Sequence, residues 1–380
     1  MKIVKKFIKK IYKFVLIKIF LIFYPKPIIN RKIKDTSVIE KRIKVQSRIY
    51  KIYKIIDGRV FTDNSFYAAY ISKNNFLLDI SYQFLQQKNS LTSINEKLCK
   101  NIVLKFGTPK KIKFIKKPIF SLLGGGAAKD NFAHWFLDII PKIYLFRKAF
   151  TAKKIKNLLI PSLKYNFQLE SLRLLGFKKK NLLDAKKFKH LKSNLIYAAP
   201  HPSDFFPEKV PKWNILFIRK QFLQYKNKKL PKFERVYIDR DQTKLLDKSN
   251  LEKFKLMRVL LNGEEIKYFL KDYNFKTIKP EEFSLPDQIA IYNNAKVIIG
   301  LFGAAMYMTS LCRKNSKIIE IRPEKASNEF FRISKFCNTK YYQIKLKPLI
   351  NPGIYTQQGI LNCPTKKIEK IFRLINLKKN

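Results

Sequence analysis

From about Pro118 onward, short apolar runs rich in β-branched residues alternate with stretches that carry helical periodicity. Residues 296–300 (KVIIG) form a strongly β-branched strand, and residues 317–321 (KIIEI) a further buried one. Strand–helix alternation of this kind constrains the chain to an α/β architecture built on parallel sheet. Further strands are expected at residues 156–160, 194–199, 235–240 and 275–278. Helices are expected at 167–175, where Gly176 stops the run, at 211–225, and in the amphipathic tail 364–377. Ser249 with Glu252 forms a capping box that opens a helix through Met257 and Leu261. Ser284 with Asp287 caps another through residues 289–294, and residues 304–311 form a short helix.

At 380 residues the chain has room for two domains. Residues 226–231 (KNKKLP) are the expected boundary, after the breaks at Pro200-His201-Pro202 and Phe206-Pro207. The resulting division is an N-terminal segment 1–30, a first domain 31–225, a second, Rossmann-like domain 226–350, and a tail 351–380. The first domain begins irregularly, with strand-like runs at 67–71 and 76–80. Two α/β units facing one another would enclose a cleft, and such sheets bind ligands outside the carboxyl ends of their strands.

The formal charge is +53, from 80 basic and 27 acidic residues. Only 14 of the basic residues are Arg, and Lys is spread from Lys2 to Lys379. A nucleic-acid binder concentrates cations on one face and favours Arg, so a specific nucleic-acid partner is not expected. The four cysteines are far apart with no C-x-x-C pair, which argues against a disulfide framework and places the chain in reducing cytosol. His190 and His201 lack partners at ligand spacing, so no metal site is expected.

Residues 1–24 read MKIVKKFIKKIYKFVLIKIFLIFY. Lys13 and Lys18 interrupt the apolar run, which leaves it too short to span a bilayer. On a helical projection Ile3, Phe7, Ile11 and Val15 share one face, and Lys5, Lys9 and Lys13 another. That is a cationic amphipathic helix suited to an anionic membrane surface, with peripheral attachment to the inner membrane as the expected location. The same pattern also serves a helix docked on the protein's own core.

Three constellations carry chemistry. Gly124-Gly125-Gly126 precedes a helix that starts near Asn131, and the glycines let backbone approach a ligand closely. On that helix His134 and Asp138 are four residues apart, within mutual reach. The carboxylate can orient the imidazole as a general base, or act as the base itself. The same pair could equally hold the helix to its neighbours. The second constellation is the turn Gly300–Ala305 after the KVIIG strand, where Gly303 and Ala304 open a helix whose N–H groups suit a phosphate. The third is dispersed: Arg240, Lys244 and Arg258 as diphosphate partners, with Glu282, Gln288 and Glu320 as polar groups near them.

These motifs fall in a recognisable order. Asn131, His134, Trp135, Asp138 and Pro141 resemble the N-x-x-H-W-x-x-D-x-x-P signature of the family 61 glycosyltransferases. Tyr237–Arg240 is similar to that family's strand ending in Arg, and Arg258, Asn262 and Glu264 to its Arg-then-Asn-Glu segment. Residues 284–288, 295–304 and 318–320 are similar to its C-terminal half. The resemblance implies a GT-B type fold of two Rossmann-like domains. It implies an inverting, metal-independent hexosyl or pentosyl transfer from a nucleotide sugar, usually a UDP-sugar, with no cofactor beyond that co-substrate. It also implies a glycan or lipid-linked acceptor in bacterial capsular polysaccharide or lipopolysaccharide biosynthesis.

Carried over residue by residue, His134 and Asp138 lie on the acceptor side; Arg240, Arg258, Gln288, Gly303, Ala304 and Glu320 lie on the donor side. Gly125, Gly126, Asn131, Lys244, Asn262 and Glu282 complete the expected binding set. Two positions depart from the family: Phe302 stands where it usually has His, and Met308 where it has Asn. A non-catalytic relative of the family, or a basic protein on membrane or nucleic acid, is the alternative these departures and the charge leave open.

Overall fold

The computed structural model describes residues 2–29, 36–63, 66–87, 90–94, 101–150, 155–203, 209–240 and 249–379. Its chain divides into two compact units, Met1–Phe205 and Phe206–Asn380. Among the described residues no helix is long and apolar enough to cross a membrane.

Among the described residues the first unit holds two sheets. One runs Val38–Val45, Arg48–Ile56, Leu195–Ala198, Ile119–Ser121, Asn157–Ile160, Leu182–Asp184, antiparallel over its first three strands and parallel over the rest. The other contains Ser90–Ile94, Tyr82–Gln87, Tyr67–Ser72, Arg59–Thr62, His190–Ser193 and Lys113–Ile115, with Asn75–Phe76 beside Tyr67–Ser72. One apolar core takes Ile55, Ile119, Leu159 and Ile196 from the first sheet and Val60, Tyr70 and Leu191 from the second, and a smaller one gathers Phe61, Ile71, Phe76 and Val103. The apolar run 76–80 is strand only at its first residue; beyond it the chain turns, with Ser81 N–H donating to Leu77.

The second unit is the parallel sheet that alternation predicts. Its strands run Lys276–Ile278, Arg235–Ile238, Val297–Leu301, Lys317–Pro323, Lys340–Leu346, every pairing parallel. Arg235–Ile238 comes first in sequence, and its neighbours on the two sides come second and third. The order therefore reverses between Arg235–Ile238 and Val297–Leu301, and the crevice at the carboxyl ends of such a pair is where doubly wound sheets bind ligands.

One expected helix is overturned. Residues 249–261 form a 3₁₀ turn at Leu251–Phe254 and then a strand, Arg258–Leu260, parallel to Gly359–Leu361. Val259 and Leu260 are buried against that distant partner, and the tertiary pairing overrides the local capping signal. The expected Ser284 cap forms, its hydroxyl accepting from Asp287 N–H at the start of Leu285–Asn294.

Candidate active site

Asn131 begins the segment that carries the histidine and the aspartate. Its side-chain oxygen accepts from the N–H groups of Ala133 (2.9 Å) and His134 (3.3 Å), so Asn131 is an N-cap. The helical turn Phe132–His134 widens into a π-turn, Trp135–Ile139, in which Ile140 N–H donates to Trp135 C=O at 3.0 Å. Its place deep in the apolar pattern suggests that Pro141 would kink or end the run, but it does neither. It is the first residue of the next helix, Pro141–Ala149, where its missing N–H costs nothing. Trp135, Phe136, Ile139 and Ile140 are buried, and the Trp135 indole N–H donates to Ser171 Oγ at 2.9 Å. The apolar side is thereby anchored, which fixes where the polar side points.

On that polar side His134 Nδ1 lies 2.8 Å from Asp138 Oδ2. The aspartate is buried, whereas the histidine side chain keeps 29% of its surface. A second histidine completes the group: His201 Nε2 lies 3.4 Å from Asp138 Oδ1. Ser203 N–H points at His201 Nδ1 (3.3 Å), so Nδ1 accepts and the hydrogen sits on Nε2, facing the carboxylate. Burial alone would raise the Asp138 pKa. His201 and then His134 outweigh it and hold the carboxyl well below the usual range. Lys142, one further turn along, is buried and donates from Nζ to Leu123 C=O at 2.5 Å. Its burial pushes the ammonium pKa down to about 7, against the pull of Asp138.

Neither His201 nor Lys142 stood out in the sequence. Lys142 continues the four-residue spacing 134–138, a signal that could have found it. His201 has no local signal, being brought in by the segment that follows strand Leu195–Ala198.

Gly124 and Gly125 owe their identity to packing. A Cβ on Gly124 would lie 2.4 Å from Ile139 Cδ1. At Gly125, with φ of +75°, it would lie 2.3 Å from the Phe84 ring. Gly126 opens the 3₁₀ turn Gly126–Lys129, which Gln168 fastens by donating to Lys129 C=O at 2.7 Å.

In the second unit Arg240 follows strand Arg235–Ile238 and Gly303 follows strand Val297–Leu301, at the two strands where the sheet order reverses. A Cβ built on Gly303 would lie 2.3 Å from Arg240 Nη1 and 3.3 Å from Arg258 Nη1. Two guanidinium groups therefore converge on this glycine. Arg258 is held at three points: Nε donates to Gln357 C=O (2.6 Å), Nη1 to Phe302 C=O (3.1 Å), and its plane lies over the Phe302 ring at 4.7 Å. Burial, and then the Arg240 charge, lower its pKa to about 10. Two like charges held together carry an electrostatic cost that an anion between them removes. Ala304 starts the 3₁₀ helix Ala304–Leu311 beside them.

Phe302, where the resemblance leads one to expect His, is buried edge-on to Phe330 (5.3 Å) and beneath Arg258 and Arg322. It supplies a π face for the guanidinium. Met308 is buried within the 3₁₀ helix.

Of the remaining expected residues, those described make contacts of their own, and the Glu320 carboxylate acts on the Arg258 charge. Glu320 is wholly buried, accepting from Arg322 Nη1 (3.1 Å) and the Tyr341 hydroxyl, and burial raises its pKa to about 7. Asn262 clasps the Cys363 backbone through both side-chain atoms, at 2.9 and 3.0 Å. Gln288 donates to Phe283 C=O at 3.0 Å within its own helix cap. Glu282 is exposed in the turn Pro280–Glu282, and the acidic charge that acts on Arg240 is that of its neighbour Glu281. Lys244 lies outside the described residues. Among the described residues no group of three or more His, Cys, Asp or Glu is arranged to hold a metal ion.

Residues 132–319 match the family model Glycosyltransferase 61. The match supports a family 61 glycosyltransferase and indicates glycosyl transfer from a sugar donor to an acceptor. It begins one residue after the Asn131 cap and ends in the strand that carries Glu320, so it takes in both His134-Asp138 and the Arg240–Arg258–Gly303 convergence. No curated protein matches the chain.

Proposed function

We propose that this chain is an inverting, metal-independent glycosyltransferase, with His134 as the base and a nucleoside-diphosphate sugar of the UDP class as donor. The acceptor is a hydroxyl of a glycan or lipid-linked glycan in bacterial surface polysaccharide synthesis. The single observation that carries the reading is the 2.8 Å contact between His134 Nδ1 and a buried, doubly held Asp138 carboxylate.

With Nδ1 donating to Asp138, the lone pair of His134 lies on Nε2. That nitrogen takes the acceptor's hydroxyl proton as the oxygen attacks the anomeric carbon. The bond from that carbon to the donor phosphate oxygen breaks on the opposite face, and its electrons leave with the nucleoside diphosphate. Asp138 then faces an imidazolium, whose charge it stabilises. Asp138 is a poor base itself, because both histidines favour its ionised form. Arg240 and Arg258 meet the charge that develops on the departing diphosphate, the role a divalent cation fills in other transferases. That supports metal independence.

The test is a transfer assay against UDP-, GDP- and CMP-sugars, beside thermal shift with the free nucleotides. His134→Ala and Asp138→Asn are expected to lower transfer by about 10²- to 10⁴-fold, the usual contribution of a general base, while UDP still raises the melting temperature. Undiminished transfer by both variants sinks the assignment. The buried Phe302 favours one second reading, a non-catalytic relative that binds nucleotide sugars. It predicts a thermal shift with UDP-sugars and no transfer by the unsubstituted chain.

A further inference from the structure

The N-terminal helix Lys2–Phe23 has two sides with different fates. One side, toward its C-terminal end, is docked on the first unit. Ile17 is buried, and Leu21 packs where a Cβ on Gly107 would come within 2.7 Å of its Cδ2. Just past the helix, Tyr24 stacks edge-on to His190 at 5.3 Å and lies under the Arg59 guanidinium at 5.7 Å. A second side carries Val4, Phe7, Ile8, Ile11, Val15 and Ile22, at spacings of three, four and seven, and these are between 47% and 79% exposed. The first half of the docked side, read from the sequence on a helical projection, carries Lys2, Lys5, Lys6, Lys9, Lys10 and Lys13, and the helix contains no acidic residue.

We propose that the exposed apolar side of this helix rests on an anionic lipid bilayer, lying in its plane. An apolar stripe, interrupted by Lys18, beside a row of lysines matches the interface between acyl chains and negative headgroups. A second copy of the chain is a poorer occupant. Pairing two such helices would bring two lysine rows together with no carboxylate on the helix to offset them. The docked residues Ile17 and Leu21 hold the helix to the first unit, so it presents the stripe outward as a fixed surface. This inference stands apart from the catalytic reading and survives its failure.

The test is cosedimentation of the full chain with phosphatidylglycerol–phosphatidylcholine vesicles and with phosphatidylcholine alone, beside the double variant Phe7→Ser/Ile11→Ser. That variant leaves the charge unchanged and lies on exposed positions, so its melting temperature should match the parent's. The proposal expects binding to the anionic vesicles, little to the neutral ones, and a loss of about tenfold or more in the double variant. Equal binding by the variant would assign the affinity to diffuse charge and overturn the proposal. So would no binding at all, or a dimer in light scattering that the same double substitution dissolves.

Discussion

His201 Nε2 approaches Asp138 Oδ1 at 3.4 Å, while the other oxygen of the same carboxylate, Oδ2, lies 2.8 Å from His134 Nδ1. The two histidines divide the carboxylate between them, and each fixes what the other can do. With both oxygens engaged and the pKa held low, Asp138 keeps its charge, which suits the proposed role of His134 as the base.

The first prediction concerns His201. Leu at this position removes a donor from a buried carboxylate, with an expected stability loss of roughly 2–3 kcal/mol. Gln can place an amide N–H near the Nε2 position and should recover most of that loss. If His201 acts through Asp138, the Leu variant also shifts the acidic limb of the kcat/KM pH profile, and the Gln variant restores it. A Leu variant that loses stability with an unmoved pH profile would confine His201 to a packing role.

Arg258 gives the second prediction. Its guanidinium is fixed by two carbonyls and one aromatic face, a planar arrangement that an ammonium cannot reproduce. Arg258→Ala should weaken UDP binding about tenfold or more by calorimetry, and Arg258→Lys should recover little of it. Full affinity in the Lys variant would show that charge alone, without the geometry, is what the nucleotide meets.

Much of the second unit was legible because its strands announce themselves locally. Val297–Leu301 and Lys317–Pro323 are β-branched runs with helices between them, and the crossovers follow. Arg258–Leu260 was not legible: its partner, Gly359–Leu361, lies a hundred residues away, and a local capping pattern pointed to helix. The same distinction holds in the site. His134 and Asp138 are four residues apart on one turn, so spacing exposes them. His201 arrives through the tertiary fold, and the convergence of Arg240 and Arg258 on Gly303 joins three separate segments. Gly124 and Gly125 make a related point. Small residues there look like room for a ligand, but the space is taken by Ile139, Phe84 and Tyr82 of the same unit.

The third prediction is a pH dependence from Glu320. Burial raises its carboxyl from an ordinary 4.5 to about 7, so between those values the folded chain holds a proton that the unfolded chain has released. Stability from this group is therefore present at pH 4.5 and below, and falls as pH rises to about 7, by roughly 3 kcal/mol at most. Glu320→Gln removes the titration, so its melting temperature should vary less over that interval than the parent's. Parallel curves for the two proteins would show that another group sets the dependence.

The last prediction tests the anion site without removing a charge. Gly303 has extended backbone, with φ of 160°, which any residue adopts. An alanine methyl there would nevertheless sit 2.3 Å from Arg240 Nη1. The atom it meets is the far end of a flexible side chain, which can swing away toward solvent at a cost within about 0.5 kcal/mol of stability. What it cannot keep is its place beside Arg258. Gly303→Ala should therefore melt close to the parent, yet bind UDP several-fold more weakly and raise the donor KM more than it lowers kcat. An unchanged nucleotide affinity would mean that the convergence on Gly303 is a packing arrangement and that the diphosphate is met elsewhere.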